Sequence, residues 1–211
     1  MDYCVTTNRG EIVFVRNIYC IGRNYKAHAD ELNNEIPESI VIFQKSIPAL
    51  NTSNELILPE NRNIQHELET VILIGNDGEN ITEEQAANYI LGYGLGLDLT
   101  DRKFQTELKR KKLPWLLAKS FKGSAVVSSF GPNEIVEDFW LKVNEDIRQK
   151  GNVDDMIFSI PKQISFLSNM IPLMKGDLIF TGTPNGVGPL NPGDHLELGI
   201  GNRKIHSLKV F

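Results

Sequence analysis

Cysteine is nearly absent from this sequence, which has only Cys4 and Cys20 among its 211 residues. Two cysteines without metal-ligand spacing cannot frame a disulfide scaffold or a zinc site, so we expect reduced thiols in the core. Long apolar runs are also missing, since none approaches the roughly 20 residues that a membrane-spanning helix needs. The first residues lack the charged and then apolar segments of a signal peptide. These absences predict a soluble, cytoplasmic protein without a membrane partner.

Positive charge is in deficit as well. Lys and Arg total 22 against 27 Asp and Glu, which gives a net charge of −5. This balance argues against a nucleic-acid or anionic-membrane surface. The one basic run, residues 109–112, follows Glu107 closely, so we interpret it as a solvated helix face. The small-residue loop 181–188 exposes N–H groups that could hold an anion. It has no P-loop lysine, so it does not predict nucleotide binding.

The length and the apolar content are sufficient for a sizeable core. Hydrophobic residues make up 41% of the chain, and ten of them are Phe. At this length we predict one catalytic domain over residues 1–211, with residues 1–17 as a short N-terminal strand extension.

The local patterns predict a mostly β fold with a few short helices. A loop is expected at 48–59, and turns at 144–146, 175–177 and 192–194. Asn24 is a candidate N-cap of the first helix. Predicted strands and helices are, in order, two strands within 11–22, a helix at 24–32, strands at 40–43 and 70–74, a helix at 82–89, strands at 91–100 and 139–143, and a helix at 160–170.

Two carboxylates, Glu67 and Glu69, open the apolar run that ends at Ile74. Side chains alternate across a strand, so the two should share a face about 6 to 7 Å apart. Burial would worsen their repulsion, and a hard cation such as Mg²⁺ between them would relieve it. Two solvated glutamates at the start of a strand would fit the same pattern, and spacing alone leaves both interpretations open.

A histidine and a carboxylate stand at helical spacing in the first predicted helix. His28 and Glu31 are at i and i+3, close enough to hydrogen-bond. A carboxylate that holds an imidazole can create a general base for water. An exposed helix pair would have the same spacing.

One charge, Asp98, interrupts the glycine-spaced strand at 91–100. A carboxylate between Leu97 and Leu99 needs a partner if it is buried, because an unpaired buried charge is costly. A position at a solvent-facing strand end would also explain it. The glycines of this strand indicate either a close backbone approach or a ligand.

The order of the motifs carries more information than any one of them. The chain resembles the fumarylacetoacetate hydrolase (FAH) family from about Ile18 to its C-terminus, and is most similar to the small acylpyruvase and oxaloacetate decarboxylase members. The motifs are Gly22-Arg23-Asn24-Tyr25 with His28 and Glu31, Phe43-Gln44-Lys45, Glu67-Leu68-Glu69, Asp98 with Arg102 and Gln105, Pro114-Trp115 with Lys119-Ser120-Phe121, Arg148-Gln149, Met156-Ile157-Phe158, Gly176-Asp177 and Thr181-Gly182-Thr183-Pro184.

The resemblance implies a mixed-sheet β-roll that forms a homodimer. It also implies a Mg²⁺ or Mn²⁺ ion held by three carboxylates, a pair that activates water, a lysine beside the substrate carbonyl, and polar groups that bind substrate. In this sequence the matching positions are Glu67, Glu69 and Asp98 for the metal, His28 and Glu31 for the pair, Lys119 for the lysine, and Arg23, Gln105 and Thr183 for substrate binding.

The resemblance leaves the reaction open among three hypotheses. The first is a metal-dependent enzyme that hydrolyses the C–C bond of acylpyruvates and decarboxylates oxaloacetate through an enolate on the metal. The second is an isomerase or tautomerase that moves a proton between enol and keto forms. The third is a binding protein with a vestigial site, and the presence of every motif residue argues against it.

The sequence departs from the family pattern at four positions. Asp101 replaces a common alanine and Lys103 a common aspartate, which inverts charges near the site. Lys122 replaces an acidic or small polar residue, and Glu145 replaces a turn glycine. None of them removes a proposed ligand, so they bear on substrate preference rather than on the metal.

Overall fold

Strands are the most frequent regular structure in the computed structural model, which describes residues 3–31 and 37–211. The predicted end of the first helix, at residue 32, lies outside these residues. Among the described residues the strands are β1 (Cys4–Thr6), β2 (Ile12–Phe14), β3 (Ile18–Gly22), β4 (Val41–Lys45), β5 (Leu50–Asn51), β6 (Glu55–Leu56), β7 (Ile64–His66), β8 (Leu68–Ile74), β9 (Ile90–Asp98), β10 (Thr100–Asp101), β11 (Ala125–Val127), β12 (Phe139–Val143), β13 (Asp146–Gly151), β14 (Leu178–Phe180), β15 (Gly188–Pro189), β16 (His195–Ile200) and β17 (Arg203–Val210).

Helices are fewer and shorter. The α-helices in the same residues are α1 (Lys26–Glu31), α2 (Arg102–Arg110), α3 (Leu116–Lys119) and α4 (Ile160–Met170), and 3₁₀ helices cover Ile47–Ala49, Glu83–Tyr89 and Val153–Asp155. No helix in the described part of the chain has the length and apolar character needed to cross a membrane.

The central element is a mixed sheet of seven strands in the order β4-β3-β14-β8-β9-β11-β5. The pairs β3/β14 and β5/β11 are parallel and the others are antiparallel. A five-stranded sheet has the order β13-β12-β16-β17-β6, and smaller sheets of three and two strands flank the two larger ones. The prediction of a mostly β fold with mixed sheets is confirmed.

Strand β8 is buried along its whole length because packed layers cover both of its faces. Val71 and Leu73 point to the cluster that contains β1 and β2. Ile72 and Ile74 point to the cluster that contains α4. An uninterrupted apolar run is what a strand covered on both faces requires, so the run in the sequence identified this strand correctly.

The two large sheets share a further core beside the start of β8, where Leu68 lies. Leu95 and Leu97 of β9 pack there with Phe139, Leu141 and Leu198 of the five-stranded sheet. The start of β8 and the end of β9 therefore lie between packed layers. Any polar side chain at those strand ends is shielded from bulk water.

Several local predictions are confirmed in detail. Helix α4 spans the predicted residues, with the Ser159 hydroxyl accepting a hydrogen bond from the N–H of Lys162 and Pro161 in the first turn. The turn between β12 and β13 contains Asn144 and Glu145 at φ 53° and 72°. This left-handed pair closes the predicted hairpin, although glycine would adopt that conformation at lower cost.

Other local predictions are wrong or incomplete. Asn24 does not cap α1: its side-chain amide donates to the carbonyls of Phe158 and Thr181 at 3.0 and 2.8 Å, and its oxygen accepts from the N–H of Phe158. These partners are distant in sequence, so no local pattern identifies them. The predicted helix at 82–89 is a 3₁₀ helix. The predicted loop at 48–59 contains the short strands β5 and β6.

The glycines of β9 mark close packing. A Cβ added at Gly96 would lie 2.6 Å from the carbonyl oxygen of Val126, 2.7 Å from Val71 and 2.8 Å from Phe180. Gly96 also pairs with Glu69 in the sheet. The close-approach interpretation therefore accounts for this glycine without a ligand.

We expect Gly96→Ala to lower the free energy of unfolding by about 1 to 3 kcal/mol, because backbone and core side chains must move to admit the methyl group. Gly22→Ala is the matched control, since its nearest neighbour would be 3.6 Å from the new Cβ and its backbone is unstrained. Urea unfolding monitored by circular dichroism measures both. Equal stabilities of the two variants would contradict the packing argument.

Candidate active site

Three buried carboxylates converge where β8 begins and β9 ends. Glu69 lies in β8, Asp98 ends β9, and Glu67 lies in the one-residue gap between β7 and β8. One oxygen from each lies within 4.8 Å of the others. The backbone holds this arrangement, since the Asp98 N–H donates to the carbonyl of Glu67 at 2.9 Å. The two glutamates and the aspartate of the sequence analysis thus form one cluster.

Two lysines bring positive charge to this cluster. The Lys119 ammonium, at the end of α3, lies 2.8 Å from Glu67 Oε2 and 2.6 Å from Asp98 Oδ2. Lys45, at the end of β4, places its ammonium 2.7 Å from Asp98 Oδ1, in ion-pair contact without hydrogen-bond alignment. The Lys45 ammonium also donates to the carbonyls of Leu99, at 3.0 Å, and of Lys119. Asp98 is therefore held between two cations.

Glu67 has a second set of donors on its other oxygen. The Thr100 hydroxyl donates to Oε1 at 3.0 Å, and the Arg102 guanidinium donates to the same atom. Burial opposes ionisation of Glu67, but Lys119 and Arg102 outweigh it and hold its pKa below the usual range. Glu67 is consequently an anion in the folded protein.

Glu69 has the least compensation of the three. Its side chain accepts a hydrogen bond from the N–H of Gly182 at 2.7 Å and has no ion pair among the described residues. Burial, together with the charges of Asp98 and Glu67, raises its pKa well above the usual value.

The donor set fits a hard divalent cation. Three buried carboxylates lie close together, and burial and the two neighbouring charges raise the pKa of one of them, Glu69. Carboxylate oxygens are the ligands that Mg²⁺ and Mn²⁺ prefer. Glu67, Glu69 and Asp98 could therefore hold such an ion, and the added positive charge would favour the ionised form of Glu69.

His28 and Glu31 form the hydrogen-bonded pair that their spacing predicts. Nδ1 of His28 lies 3.2 Å from Glu31 Oε2. Glu31 Oε1 accepts from the N–H of Gly186 at 3.0 Å, which fixes the carboxylate from a second loop. Burial lowers the pKa of His28 despite the opposing charge of Glu67 and the hydrogen bond to Glu31. The imidazole is therefore neutral at neutral pH and can accept a proton.

One small cavity, of about 40 Å³, collects the candidate residues. His28, Arg23, Gln105 and Thr183 line it together with the three carboxylates and Lys119, while Glu31 reaches it only through His28. The side-chain oxygen of Gln105 accepts from Arg102 at 2.8 Å. The Thr183 hydroxyl accepts from Gln149 at 2.9 Å. Both side chains are thus oriented by neighbours of the cavity.

Sequence reasoning passed over three charged residues of the site. Lys45 ends an apolar strand as Lys119 ends an apolar helix, and that similarity was the available signal. Arg102 belongs to a family motif but was not included among the site residues, although it contacts Glu67. The interpretation of residues 109–112 as a solvated face is correct for residues 110–112, which are exposed. It is wrong for Lys109, which is half-buried and lines the cavity.

The four departures from the family pattern lie outside the cavity lining. Asp101 caps α2, since its carboxylate accepts from the N–H of Phe104 at 3.2 Å. Lys103 and Lys122 are exposed, and Glu145 is in the hairpin turn. Their charges therefore act on the cavity only from a distance.

Comparison with known proteins places this arrangement in a family. The family model described as fumarylacetoacetate (FAA) hydrolase C-terminal matches residues 17–209. A mitochondrial oxaloacetate tautomerase FAHD1 from Mus musculus is 46% identical over 192 residues, which cover 88% of this chain and 87% of that protein. A mitochondrial oxaloacetate decarboxylase from Dictyostelium discoideum is 40% identical over 193 residues, which cover 88% of each.

A solved structure shows the same fold over nearly the whole chain. The crystal structure of fumarylpyruvate hydrolase from Pseudomonas aeruginosa in complex with Mn²⁺ and pyruvate superposes with a TM-score of 0.94 at 32% identity, covering 99% of this chain and 95% of that one. Family model, relatives and fold agree, and the chain belongs to the fumarylacetoacetate hydrolase family.

Proposed function

We propose that this protein is a divalent-metal-dependent enzyme that acts on small 2-oxo acids. Its reactions are C–C bond hydrolysis of acylpyruvates and decarboxylation of oxaloacetate. The observation that carries the proposal is the buried cluster of Glu67, Glu69 and Asp98, with Lys119 and His28 lining the same cavity. The relatives named as an oxaloacetate decarboxylase and a fumarylpyruvate hydrolase support the same substrate class.

Glu67, Glu69 and Asp98 hold the metal in this proposal, and either Mg²⁺ or Mn²⁺ suits them. When bound, the ion supplies a Lewis acid for the oxygens of a 2-oxo acid. Lys119 adds a fixed positive charge at the same place, and its ammonium is already oriented by Glu67 and Asp98. A preorganised cation stabilises negative charge that develops on the substrate oxygen more than it stabilises the neutral carbonyl.

His28 is the base that activates water for hydrolysis. When the Nδ1–H of His28 donates a hydrogen bond to Glu31, Nε2 keeps a lone pair that can accept a proton from water. The resulting hydroxide adds to the distal carbonyl carbon of the acylpyruvate, and the C–C bond then breaks to give a carboxylic acid and the enolate of pyruvate. The His28 imidazolium returns its proton to the enolate carbon, which gives pyruvate. Decarboxylation releases CO₂ and leaves the same enolate without a water nucleophile. Arg23, Gln105 and Thr183 hold the substrate.

A second candidate is tautomerisation of oxaloacetate. It is favoured by the mouse relative at 46% identity, which is named as an oxaloacetate tautomerase. The same neutral His28 could carry a proton between carbon and oxygen, and Lys119 would again stabilise the enolate. The two candidates share every residue and differ only in whether a C–C bond breaks.

Assembly and location are further parts of the proposal. We expect a homodimer with a small 2-oxo acid as substrate and no nucleic-acid or membrane partner. The prediction of one catalytic domain stands with them. A cytoplasmic location remains a prediction, whereas the mouse and Dictyostelium relatives are named as mitochondrial.

Removal of the metal tests the role of the carboxylates. Chelation should abolish activity and lower the melting temperature, because the ion binds only the folded cluster. Mg²⁺ or Mn²⁺ should restore both. Glu69→Gln keeps the shape of the side chain and should show no gain in melting temperature with added metal. Full activity in excess chelator would contradict the metal-dependent mechanism.

The His28–Glu31 pair should matter more for hydrolysis than for decarboxylation. His28→Ala or Glu31→Ala should lower acylpyruvate turnover by about 10² to 10⁴-fold, since the water loses its base. Oxaloacetate decarboxylation should fall less. His195→Ala is the control, because the side chain of that histidine is exposed and pairs with Glu197. Equal losses on both substrates would show that the pair positions or protonates substrate instead.

Replacement of Lys119 tests whether its positive charge stabilises the buried carboxylates of Glu67 and Asp98. In metal-free protein, Lys119→Met leaves Glu67 and Asp98 without their shared cation, so we expect a loss of unfolding free energy on the order of 3 kcal/mol. Saturating Mg²⁺ should reduce that loss, while turnover stays low. Lys175→Met removes an exposed ion pair with Glu11 and should cost less than about 1 kcal/mol. A Lys119 variant with normal turnover would refute the proposed role.

A further inference from the structure

Two cations in the cavity have no anionic partner among the described residues. Lys109 and Arg23 both line the cavity, and neither forms an ion pair there. The buried Nε of Arg23 also lacks a hydrogen-bond partner within the part of the chain that the structure describes. Buried donors are normally satisfied, so unpaired cations beside a cavity indicate a site for an anion.

Lys109 is positioned by its helix and by an aromatic ring. Arg102, Gln105 and Lys109 are three and four residues apart in α2, so they share the face of the helix that borders the cavity. The Lys109 ammonium lies 5.0 Å from the ring centroid of Trp115, which also lines the cavity. This contact between cation and ring restricts the side chain without neutralising its charge.

The charges around Lys109 are mostly positive, so its own charge is not neutralised. Burial and the nearby charges of Arg102, Arg23 and Lys119 lower its pKa to about 8. Crowded like charges raise the free energy of the protonated form, and a bound anion would reverse that effect.

The charged groups of the cavity fall into two sets, the metal cluster with its ion-pair partners and the two cations left unpaired among the described residues, Lys109 and Arg23. The three carboxylates face three cations, Lys45, Lys119 and Arg102, which contact Asp98 and Glu67 but not Glu69. Lys109 and Arg23 remain, and a divalent ion on the cluster would add two further positive charges. A substrate with one carboxylate leaves much of this charge unmatched, whereas a substrate with two matches more of it.

We propose that Lys109 is a specificity-determining residue that binds the second carboxylate of a 2-oxo dicarboxylate. Trp115 holds its side chain, and Arg23 adds charge beside it. This inference rests on the proposed action on 2-oxo acids and narrows the substrate to doubly charged members of that class. Acylpyruvates with an uncharged acyl group are then poorer substrates because their distal end has no group for Lys109.

The test compares Lys109→Met with Lys103→Met, an exposed lysine on the same helix. The substrates are oxaloacetate and acetylpyruvate, assayed in saturating Mg²⁺. Lys109→Met should raise KM for oxaloacetate on the order of ten-fold with little change in kcat, the effect of losing one charged hydrogen bond. Its KM for acetylpyruvate should stay within about twofold. Lys109→Arg keeps the charge and should keep the preference for oxaloacetate. Lys103→Met should leave KM unchanged for both substrates.

Equal changes in KM for both substrates, or the same effect from Lys103→Met, would overturn the proposal.

Calorimetric titration with 2-oxoglutarate and 2-oxobutyrate, which have two and one carboxylates, tests the binding role of Lys109 independently of turnover. If the wild type turns over neither substrate, the proposed function fails. A preference for 2-oxoglutarate that disappears in Lys109→Met still supports the binding role, and an unchanged preference contradicts it. Lys109→Gln replaces the methionine variant if that variant melts early.

Discussion

The Lys119 ammonium between Glu67 and Asp98 is the interaction on which the site depends. Buried carboxylates at these distances repel one another, and the folded protein tolerates them because Lys119, Lys45 and Arg102 lie in direct contact. Those cations come from α3, β4 and α2, so the charge balance also joins three elements to the ends of β8 and β9. Glu69 is left with a hydrogen bond from Gly182 and has no cationic partner in the described part of the chain. A divalent ion completes the balance in the proposed enzyme.

The fold makes that balance possible by keeping water away from the strand ends. The start of β8 and the end of β9 lie beside the core shared by the two large sheets. Gly96 lets Val126, Val71 and Phe180 pack directly against β9 next to Glu69. In such surroundings a fixed cation interacts with a carboxylate or an enolate far more strongly than it does in water. The packing that shapes the carboxylate cluster therefore also gives Lys119 its proposed catalytic effect.

Much of this architecture was accessible from the sequence, for reasons that differ between elements. The apolar run after Glu69 identifies a strand covered on both faces, and the helical period of residues 160–170 with Pro161 in the first turn identifies α4, because those signals are local. Spacing alone paired His28 with Glu31 but left the metal open at Glu67 and Glu69, and the family resemblance supplied Asp98. Asn24, Lys45 and Lys109 were missed or misinterpreted since their roles arise from contacts with residues distant in the chain. A basic run in the sequence does not show that one of its lysines turns inward onto a tryptophan.

The central claim is that the carboxylates of Glu67, Glu69 and Asp98 share one divalent ion. Anomalous diffraction from crystals grown with Mn²⁺ tests it most directly, since the ion is located without any assumption about activity. The account predicts one strong peak per chain among these three side chains, and none there in crystals of Glu69→Gln that keep the same fold. A peak elsewhere, or full occupancy in the variant, would contradict it.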